Sequence, residues 1–302
     1  MISTISSKPP PAARHAPGLY VTATPIGNAG DISLRALNLL ENADLVLCED
    51  TRVTAKLLAI HQIRASLETY HEHNAAAVRP KILQRLKEGA VIALVSDAGT
   101  PLISDPGLKL VQAAIAQGVS VTTLPGPSAV LAGLTLSGLP SDRFFFAGFL
   151  PPKKAARRTA LQELKIIPAT LIFLESPKRL AAALADMHDI LGDRAAAVAR
   201  ELTKKFEQVR RASLGVLAQQ YAAEDAPKGE IVVLAGPPPK QIPLCEGELD
   251  ALLENALRRQ SLKDAVAEIT AATGLPRREV YARALVVSEA NAHALAISEA
   301  NK

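Results

Sequence analysis

The sequence predicts an α/β protein of two domains followed by a small helical domain. Three observations carry this prediction. Up to Leu124, short apolar runs alternate with stretches of helical periodicity, the pattern of a largely parallel sheet covered by helices. After Pro125-Gly-Pro-Ser128, further β runs announce a second unit. Beyond Gly236-Pro-Pro-Pro239, a stop and linker, the pattern is helical only. The expected boundaries are a disordered tail at 1–17, an N-terminal α/β domain at 18–126, a C-terminal α/β domain at 127–239 and a helical domain at 245–302.

The elements follow in order. The tail carries Pro9-Pro-Pro11 and no apolar signal core, so it reads as disordered rather than as a targeting segment. Gly18-Leu-Tyr-Val-Thr-Ala is a short strand, and Thr24-Pro-Ile-Gly-Asn-Ala-Gly-Asp31 a polar loop. Residues 33–42 have helical spacing through Leu34, Leu37 and Leu40, with Asp31 or Ser33 as N-cap. Leu45-Val-Leu-Cys48 is a strand closed by Glu49-Asp-Thr-Arg52, and a helix through Leu57 and Leu58 follows. Residues 66–70 form a strand ending at His71-Glu-His-Asn74. A helix to Glu88, a strand at Val91, a helix over 108–117 and a strand over 119–124 complete the first domain.

In the second domain Ser128 caps a small-residue helix running to Ser137. Phe144-Phe-Phe-Ala-Gly-Phe-Leu150 is a strand, and 153–164 a basic helix or loop. Further strands are expected at Ala169-Thr-Leu-Ile-Phe-Leu-Glu175, Ala195-Ala-Ala-Val-Ala-Arg200 and Glu230-Ile-Val-Val-Leu-Ala235. Residues 249–258, 262–273 and 277–285 have helical periodicity, with a tight break at Gly274-Leu-Pro276.

Composition bounds the function. With 302 residues, 48% of them hydrophobic, the chain can bury a sizeable core. Trp is absent and aromatics are only 3%, so aliphatic residues and alanine must fill that core. A net charge of +4 permits an acidic partner such as RNA without demanding one. Cys48 and Cys245 make neither a disulfide framework nor a metal spacing, which fits a reducing cytoplasm. No apolar run is long enough to span a membrane. The dinucleotide glycine fingerprint, the Walker loop, H-E-x-x-H and G-x-S-x-G are all absent.

The densest functional signal is Asp97-Ala-Gly-Thr-Pro-Leu-Ile-Ser-Asp-Pro-Gly107, directly after the strand at Val91. Its two carboxylates, two glycines and two prolines exceed what a βα turn requires. In open α/β sheets the carboxyl edge of the strands is where ligands bind. Glu49-Asp-Thr-Arg52 reads either as part of that site or as a capped helix start with a surface ion pair. His71 and His73 lie on one strand face, but no further His or Cys completes a zinc site, so no metal is expected. Asn74 is placed for substrate hydrogen bonding or for capping a helix. Lys153, Lys154, Arg157 and Arg158 form one basic patch, and Arg258, Arg259, Lys263, Arg277, Arg278 and Arg283 a second. Such runs are either solvated faces or phosphate contacts.

Nine motifs stand in one order: Leu19-Tyr-Val-Thr-Ala-Thr-Pro-Ile-Gly-Asn28, Glu49-Asp-Thr-Arg52, Leu94-Val-Ser-Asp-Ala-Gly-Thr-Pro-Leu-Ile-Ser-Asp-Pro-Gly107, Leu124-Pro-Gly-Pro-Ser128, Gly138-Leu-Pro-Ser-Asp-Arg-Phe144, Gly148-Phe-Leu-Pro151, Glu175-Ser-Pro-Lys-Arg179, Ala199-Arg-Glu-Leu-Thr-Lys204 and Lys228-Gly-Glu230. Together they resemble the tetrapyrrole-methylase-like superfamily, in its branch of small-subunit rRNA methyltransferases. The resemblance runs from about Gly18 to the C-terminus, where the last helices look like that branch's helix-turn-helix-like domain.

The resemblance implies a homodimeric, S-adenosylmethionine-dependent enzyme that methylates the 2′-hydroxyl of a cytidine in the decoding region of 16S rRNA. It implies two α/β domains with the cofactor folded in the cleft between them. The cofactor contacts it implies are Ile26 and Gly27; Gly99, Thr100, Pro101 and Ile103; Ser128 and Ala129; Leu174; and Leu202, while Asp97, which starts the central loop, either orders that loop or meets the ligand. Methyl transfer from a sulfonium needs no metal, but a ribose hydroxyl needs a base or a cation to assist it. His73, Asp50 and Glu175 are the candidate bases, and Arg52 and Lys204 the candidate cations for lowering the hydroxyl pKa or holding phosphate. The alternatives are a small-molecule methyltransferase of the same fold and a non-catalytic RNA-binding module. The small ribosomal subunit or its rRNA is the implied partner.

Overall fold

A computed structural model describes residues 15–239, 246–273 and 275–300. The chain forms two compact units, Met1–Pro238 and Pro239–Lys302. The tail expected at 1–17 lies outside the described residues up to position 14. From there the backbone is tied down: Tyr20 Oη donates to the Ala16 carbonyl at 2.7 Å, and His15 Nε2 meets Asn38 Oδ1 at 2.9 Å.

The first sheet is built from β1 (Gly18–Thr22), α1 (Leu34–Asn42), β2 (Leu45–Cys48), α2 (Thr51–Ile60), β3 (Leu67–Thr69), α3 (Ala75–Lys87), β4 (Val91–Leu94), α4 (Leu108–Ala116) and β5 (Val121–Leu124). Its strands are all parallel, in the order β3-β2-β4-β1-β5. Both faces are buried, as a parallel sheet requires. Leu45 and Leu47 of β2 pack with Ile82 and Leu86 of α3 and Leu110 of α4. Val46 and Cys48 point the other way, against Leu39 of α1 and Leu58 of α2. Ser33 is the N-cap of α1, accepting from the Ala36 amide at 3.1 Å, which decides between the two caps expected.

This order creates a switch point. The connection leaving β1 runs over the α1 face to β2, and that leaving β4 runs over the α4 face to β5. Because β1 and β4 are neighbours, their loops diverge to opposite faces and leave a crevice at their carboxyl ends.

The same unit continues with α5 (Ala129–Ser137), β6 (Phe144–Phe149), α6 (Lys154–Leu164), β7 (Thr170–Glu175), α7 (Leu180–Leu191), β8 (Ala195–Arg200), β9 (Gln208–Ser213), α8 (Leu214–Ala223) and β10 (Ile231–Ala235). The second sheet has the order β6-β7-β10-β8-β9 and is mixed: only β6 and β7 are parallel. One face carries α6, α7 and α8 over Phe173, Val198 and Val233. The other packs Ile172, Ala197 and Val232 against α5 and against Ile26 of the first half, so the two halves share a core.

One expectation is decided here and another changes. The stretch read as helix or loop is the helix α6, Lys154–Leu164, and Arg157 is not part of a surface patch. Its guanidinium is buried and donates to Asp186 Oδ2 of α7 at 2.6 and 2.8 Å, while Arg158 reaches Asp186 and Asp189. Strand β9 escapes the sequence pattern because it is an edge strand whose Arg210 and Arg211 interrupt any apolar alternation.

The second unit holds α9 (Glu246–Leu257), α10 (Leu262–Thr273) and α11 (Arg277–Ala300) around Leu253, Val266, Ile269 and Val280. Helix α11 runs past the end expected at 285. Arg283 forms a bidentate pair with Asp250 at 2.6 Å, so one of the six arginines and lysines read as phosphate-facing is used to join α9 to α11. Among the described residues no helix is long and apolar enough to cross a membrane.

Candidate active site

The crevice at the ends of β1 and β4 opens into a cavity of about 450 Å³ within the first unit. The first half supplies Ile26, Glu49, the segment 97–100, and Ile103 to Asp105. The second half supplies Ser128 to Val130 at the start of α5, Phe149 ending β6, Leu174 to Pro177 ending β7, Leu202, and Gly229 to Val232 at the start of β10.

Hydrogen bonds between loops fix this wall. Thr24 and Gly99 exchange backbone hydrogen bonds at 2.9 and 3.0 Å, joining the loops after β1 and β4. Thr100 Oγ1 donates to the Pro127 carbonyl at 3.1 Å, adding the loop after β5. Gly99 has φ +81°, and a Cβ there would stand 3.3 Å from Ile26 Cγ2, so glycine keeps both the turn and the space. Across the cleft, the Asn28 amide donates to Thr203 Oγ1 at 3.1 Å.

Of the expected cofactor contacts, Ile26, Asp97, Gly99, Thr100, Ile103, Ser128, Ala129, Leu174 and Leu202 line this one cavity. Gly27 and Pro101 do not. Gly27 lies against the 202–204 loop, where a Cβ would meet Lys204 Cγ and, at 2.8 Å, Thr203 Oγ1. Its role is close packing of the two halves. Pro101 is buried behind the loop.

The five residues named for the reaction separate further. Asp50 is the N-cap of α2: Oδ1 accepts from the Arg52 amide at 2.8 Å, and the Arg52 guanidinium closes on the same carboxylate at 2.6–3.1 Å. Those hydrogen bonds lower its pKa to about 2. Of the two roles open to this motif, the capped helix start with a surface ion pair is the one that Asp50 and Arg52 fill. His73 lies in the turn after β3 against His71, away from the cavity. Asn74 beside it is spent on that turn, accepting from the His71 amide and donating to the Thr69 carbonyl, each at 2.9 Å. Lys204 pairs with Glu201 at 2.9 Å and Glu230 at 3.0 Å; burial works against its charge, but the two carboxylates outweigh it and raise its pKa. Glu175 does reach the cavity wall. Its oxygens accept from the Ser176 amide at 2.7 Å and from Arg179 at 2.8 and 3.0 Å.

The sequence pattern singled out Asp50 and missed its neighbour Glu49. Glu49 and Asp105 both line the cavity, and each has a raised pKa. Burial comes first for both. Asp105 and Asp97 add to it for Glu49, while Ser96 and Asp97 act in opposite senses on Asp105. The signal lay in the strand: Leu45-Val-Leu-Cys48 is buried throughout, so the first polar residue after it falls at the sheet's carboxyl edge. Among the described residues five carboxylates line the cavity and no lysine or arginine does, so it suits a cation with apolar bulk.

The chain matches the family Tetrapyrrole (Corrin/Porphyrin) Methylases over residues 18–218, and the RsmI C-terminal HTH domain over 244–287. It is 50% identical over 280 residues to a protein of Mesorhizobium japonicum named Ribosomal RNA small subunit methyltransferase I, covering 92% of this chain and 95% of that one. A protein of the same name from Pseudomonas aeruginosa is 45% identical over 273 residues, covering 88% and 96%. Among solved structures, the fold resembles uroporphyrin-III C-methyltransferase of Thermus thermophilus complexed with S-adenyl homocysteine. The TM-score is 0.51 at 20% identity, over 72% of this chain and 97% of that one. Diphthine synthase gives a TM-score of 0.56 at 18% identity, over 72% and 89%. The chain belongs to the tetrapyrrole methylase family and, within it, to the ribosomal RNA small subunit methyltransferase I family.

Proposed function

We propose that the cavity binds S-adenosylmethionine and that the protein methylates the ribose 2′-hydroxyl of a cytidine in the decoding region of 16S rRNA. The observation that carries this reading is the cavity's chemistry. Ile26, Leu174, Leu202 and Val232 offer apolar surface for a nucleoside, and Glu49, Asp97 and Asp105 form an acidic wall for a cationic tail. Its volume, about 450 Å³, lies within the about 300–1,000 Å³ typical of small-molecule sites. When bound, S-adenosylmethionine supplies an electrophilic methyl group on a sulfonium centre.

Ile26, Asp97, Gly99, Thr100, Ile103, Ser128, Ala129, Leu174 and Leu202 would hold it. Attraction between the acidic wall and a cationic donor is stronger before transfer than after. It therefore aids binding and product release and does not itself lower the barrier. Rate must come from orientation and from handling the hydroxyl proton.

The names of the relatives support rRNA as substrate, and the helical unit supplies the surface we assign to docking it. Among the described residues Lys263, Arg277 and Arg278 have no ion-pair partner, whereas Arg258, Arg259 and Arg283 are paired with Glu254, Glu268 and Asp250. The first three are the better phosphate contacts. The protein is assigned to the cytoplasm, where small subunits are made, and to a homodimer, as the family resemblance implies. Mass analysis of small-subunit rRNA from a strain lacking this gene tests the reading. One missing ribose methyl on a decoding-region cytidine, restored by the gene, is expected; an unchanged methylation map refutes it.

A further inference from the structure

The proposed reaction, on which this inference rests, needs a group to take the proton from the attacking hydroxyl. Five carboxylates border the cavity, and three have an oxygen held by a hydrogen bond. Glu175 is held by Ser176 and Arg179. Glu230 is held by Lys204. Asp97 Oδ1 accepts from the Asp50 amide at 3.1 Å. Asp105 lies beside the Ser96 hydroxyl, which favours its charged form against burial. Among the described residues Glu49 has no such partner, and it is half-buried in the cavity wall at the carboxyl end of β2.

We propose that Glu49 is the general base, the catalytic residue that accepts the proton of the 2′-hydroxyl as the methyl group is transferred. The balance closes. The hydroxyl's O–H bond breaks and an O–CH₃ bond forms from the pair left on oxygen. The S–CH₃ bond of the sulfonium donor breaks with its pair going to sulfur. The proton rests on Glu49, which passes it to water when the product leaves. One positive charge on sulfur and one negative charge on Glu49 become a thioether and a neutral acid.

The surroundings fit the task. The titratable groups facing Glu49 are Asp97 and Asp105 from the loop after β4, with Glu175 and Glu230 lining the same cavity; its chain neighbours Cys48, Asp50 and Arg52 do not line it. Burial first, then Asp105 and Asp97, push its pKa up to about 7. A base acts best with a pKa near the operating pH. Asp50, with a pKa of about 2 and its carboxylate tied to Arg52, is a poor proton acceptor by the same rule.

The test compares wild type, Glu49→Gln and Glu49→Asp. Single-turnover methyl transfer to small ribosomal subunits is measured from about pH 5 to 9, with S-adenosylhomocysteine affinity and melting temperature over the same range. Glu49→Gln is expected to slow transfer by about 10²–10⁴-fold and to abolish the rise in rate through pH 7. Because Glu49 also belongs to the acidic wall, rates are compared at saturating donor for each variant, and the loss of rate should exceed any loss of S-adenosylhomocysteine affinity by at least about tenfold. Glu49→Asp keeps a carboxylate, so it should keep the pH-dependent limb at a reduced rate. The activity-independent readout is stability. A pKa raised on folding favours the protonated form, so wild type loses stability as pH rises from about 4.5 through about 7. The melting temperature of Glu49→Gln should pull ahead over that window, by about 2–4 °C above it. A Glu49→Gln enzyme within about threefold of wild-type rate with the limb intact overturns the proposal. So does a melting gap that does not change with pH. Wild-type protein that puts no methyl on ribose would sink the ribose-methylation reading instead, while the melting curves would still show whether Glu49 titrates near neutrality.

Discussion

The two halves facing the cleft differ in what they bring to it. The first sheet is wholly parallel, so the carboxyl ends of β1, β2, β4 and β5 share one edge, and their loops converge there. That edge delivers Glu49, Asp97 and Asp105. The second sheet is mixed, so its cavity edge combines the ends of β6 and β7 with the start of β10. It delivers apolar floor, and its carboxylates Glu175 and Glu230 are neutralised by Arg179 and Lys204. Parallel strands gather acidic groups that no lysine or arginine among the described residues neutralises at one rim; the mixed sheet supplies a braced wall. The chemistry is therefore expected to fail on the first side and the fold on the second.

The largest effect expected is on the second side, away from the cavity. Asp186→Ala leaves the Arg157 guanidinium buried without its carboxylate, which should cost about 3–5 kcal/mol in urea denaturation. Burial works against the Asp186 charge, but Arg158 and Arg157 outweigh it and hold its pKa low. Its contribution is thus present above the ordinary carboxylate range and lost as pH falls below it. A cost under about 1 kcal/mol, the size of a surface pair, would break the comparison on this side.

A smaller effect is expected from the first side, felt in binding. Gly99→Val places a branched side chain at φ +81° with its Cβ 3.3 Å from Ile26 Cγ2. The strain is of order about 1–3 kcal/mol, and S-adenosylhomocysteine affinity should fall at least about tenfold by calorimetry. Affinity within about twofold of wild type would mean this loop does not border the cofactor.

The smallest effect concerns the helical unit. Neutralising Lys263, Arg277 and Arg278 in the full chain should leave cofactor affinity unchanged. It should flatten the salt dependence of rRNA binding by about 0.7–0.9 for each phosphate that is no longer neutralised. Neutralising Arg283 should instead lower the unit's stability, because that side chain joins α9 to α11. Equal salt slopes for the triple variant and wild type would remove the docking role.

These regions were unequally legible in the sequence. The first half reads clearly because parallel strands are buried on both faces and stand as apolar runs between periodic helices, as at Leu45-Val-Leu-Cys48. The Asp97 to Gly107 loop announces itself through residues that only a demanding turn needs; Leu102 and Ser104 adopt positive φ there without being glycine. Strand β9 stays hidden because an edge strand needs no buried face. The basic reading of Arg157 failed because its partner Asp186 is distant in sequence and only the packing of α6 on α7 joins them. Glu49 was passed over for Asp50 because adjacent acids look alike in sequence. Only the structure shows that one caps a helix and the other enters the cavity.

One measurement bears most directly on the proposed activity. Purified protein, isotopically labelled S-adenosylmethionine and small ribosomal subunits from a strain lacking the gene are combined, and the rRNA is digested to nucleosides. The account predicts label in 2′-O-methylcytidine, from a single position. Label on a base, or no transfer to rRNA while a small molecule accepts it, would contradict the account.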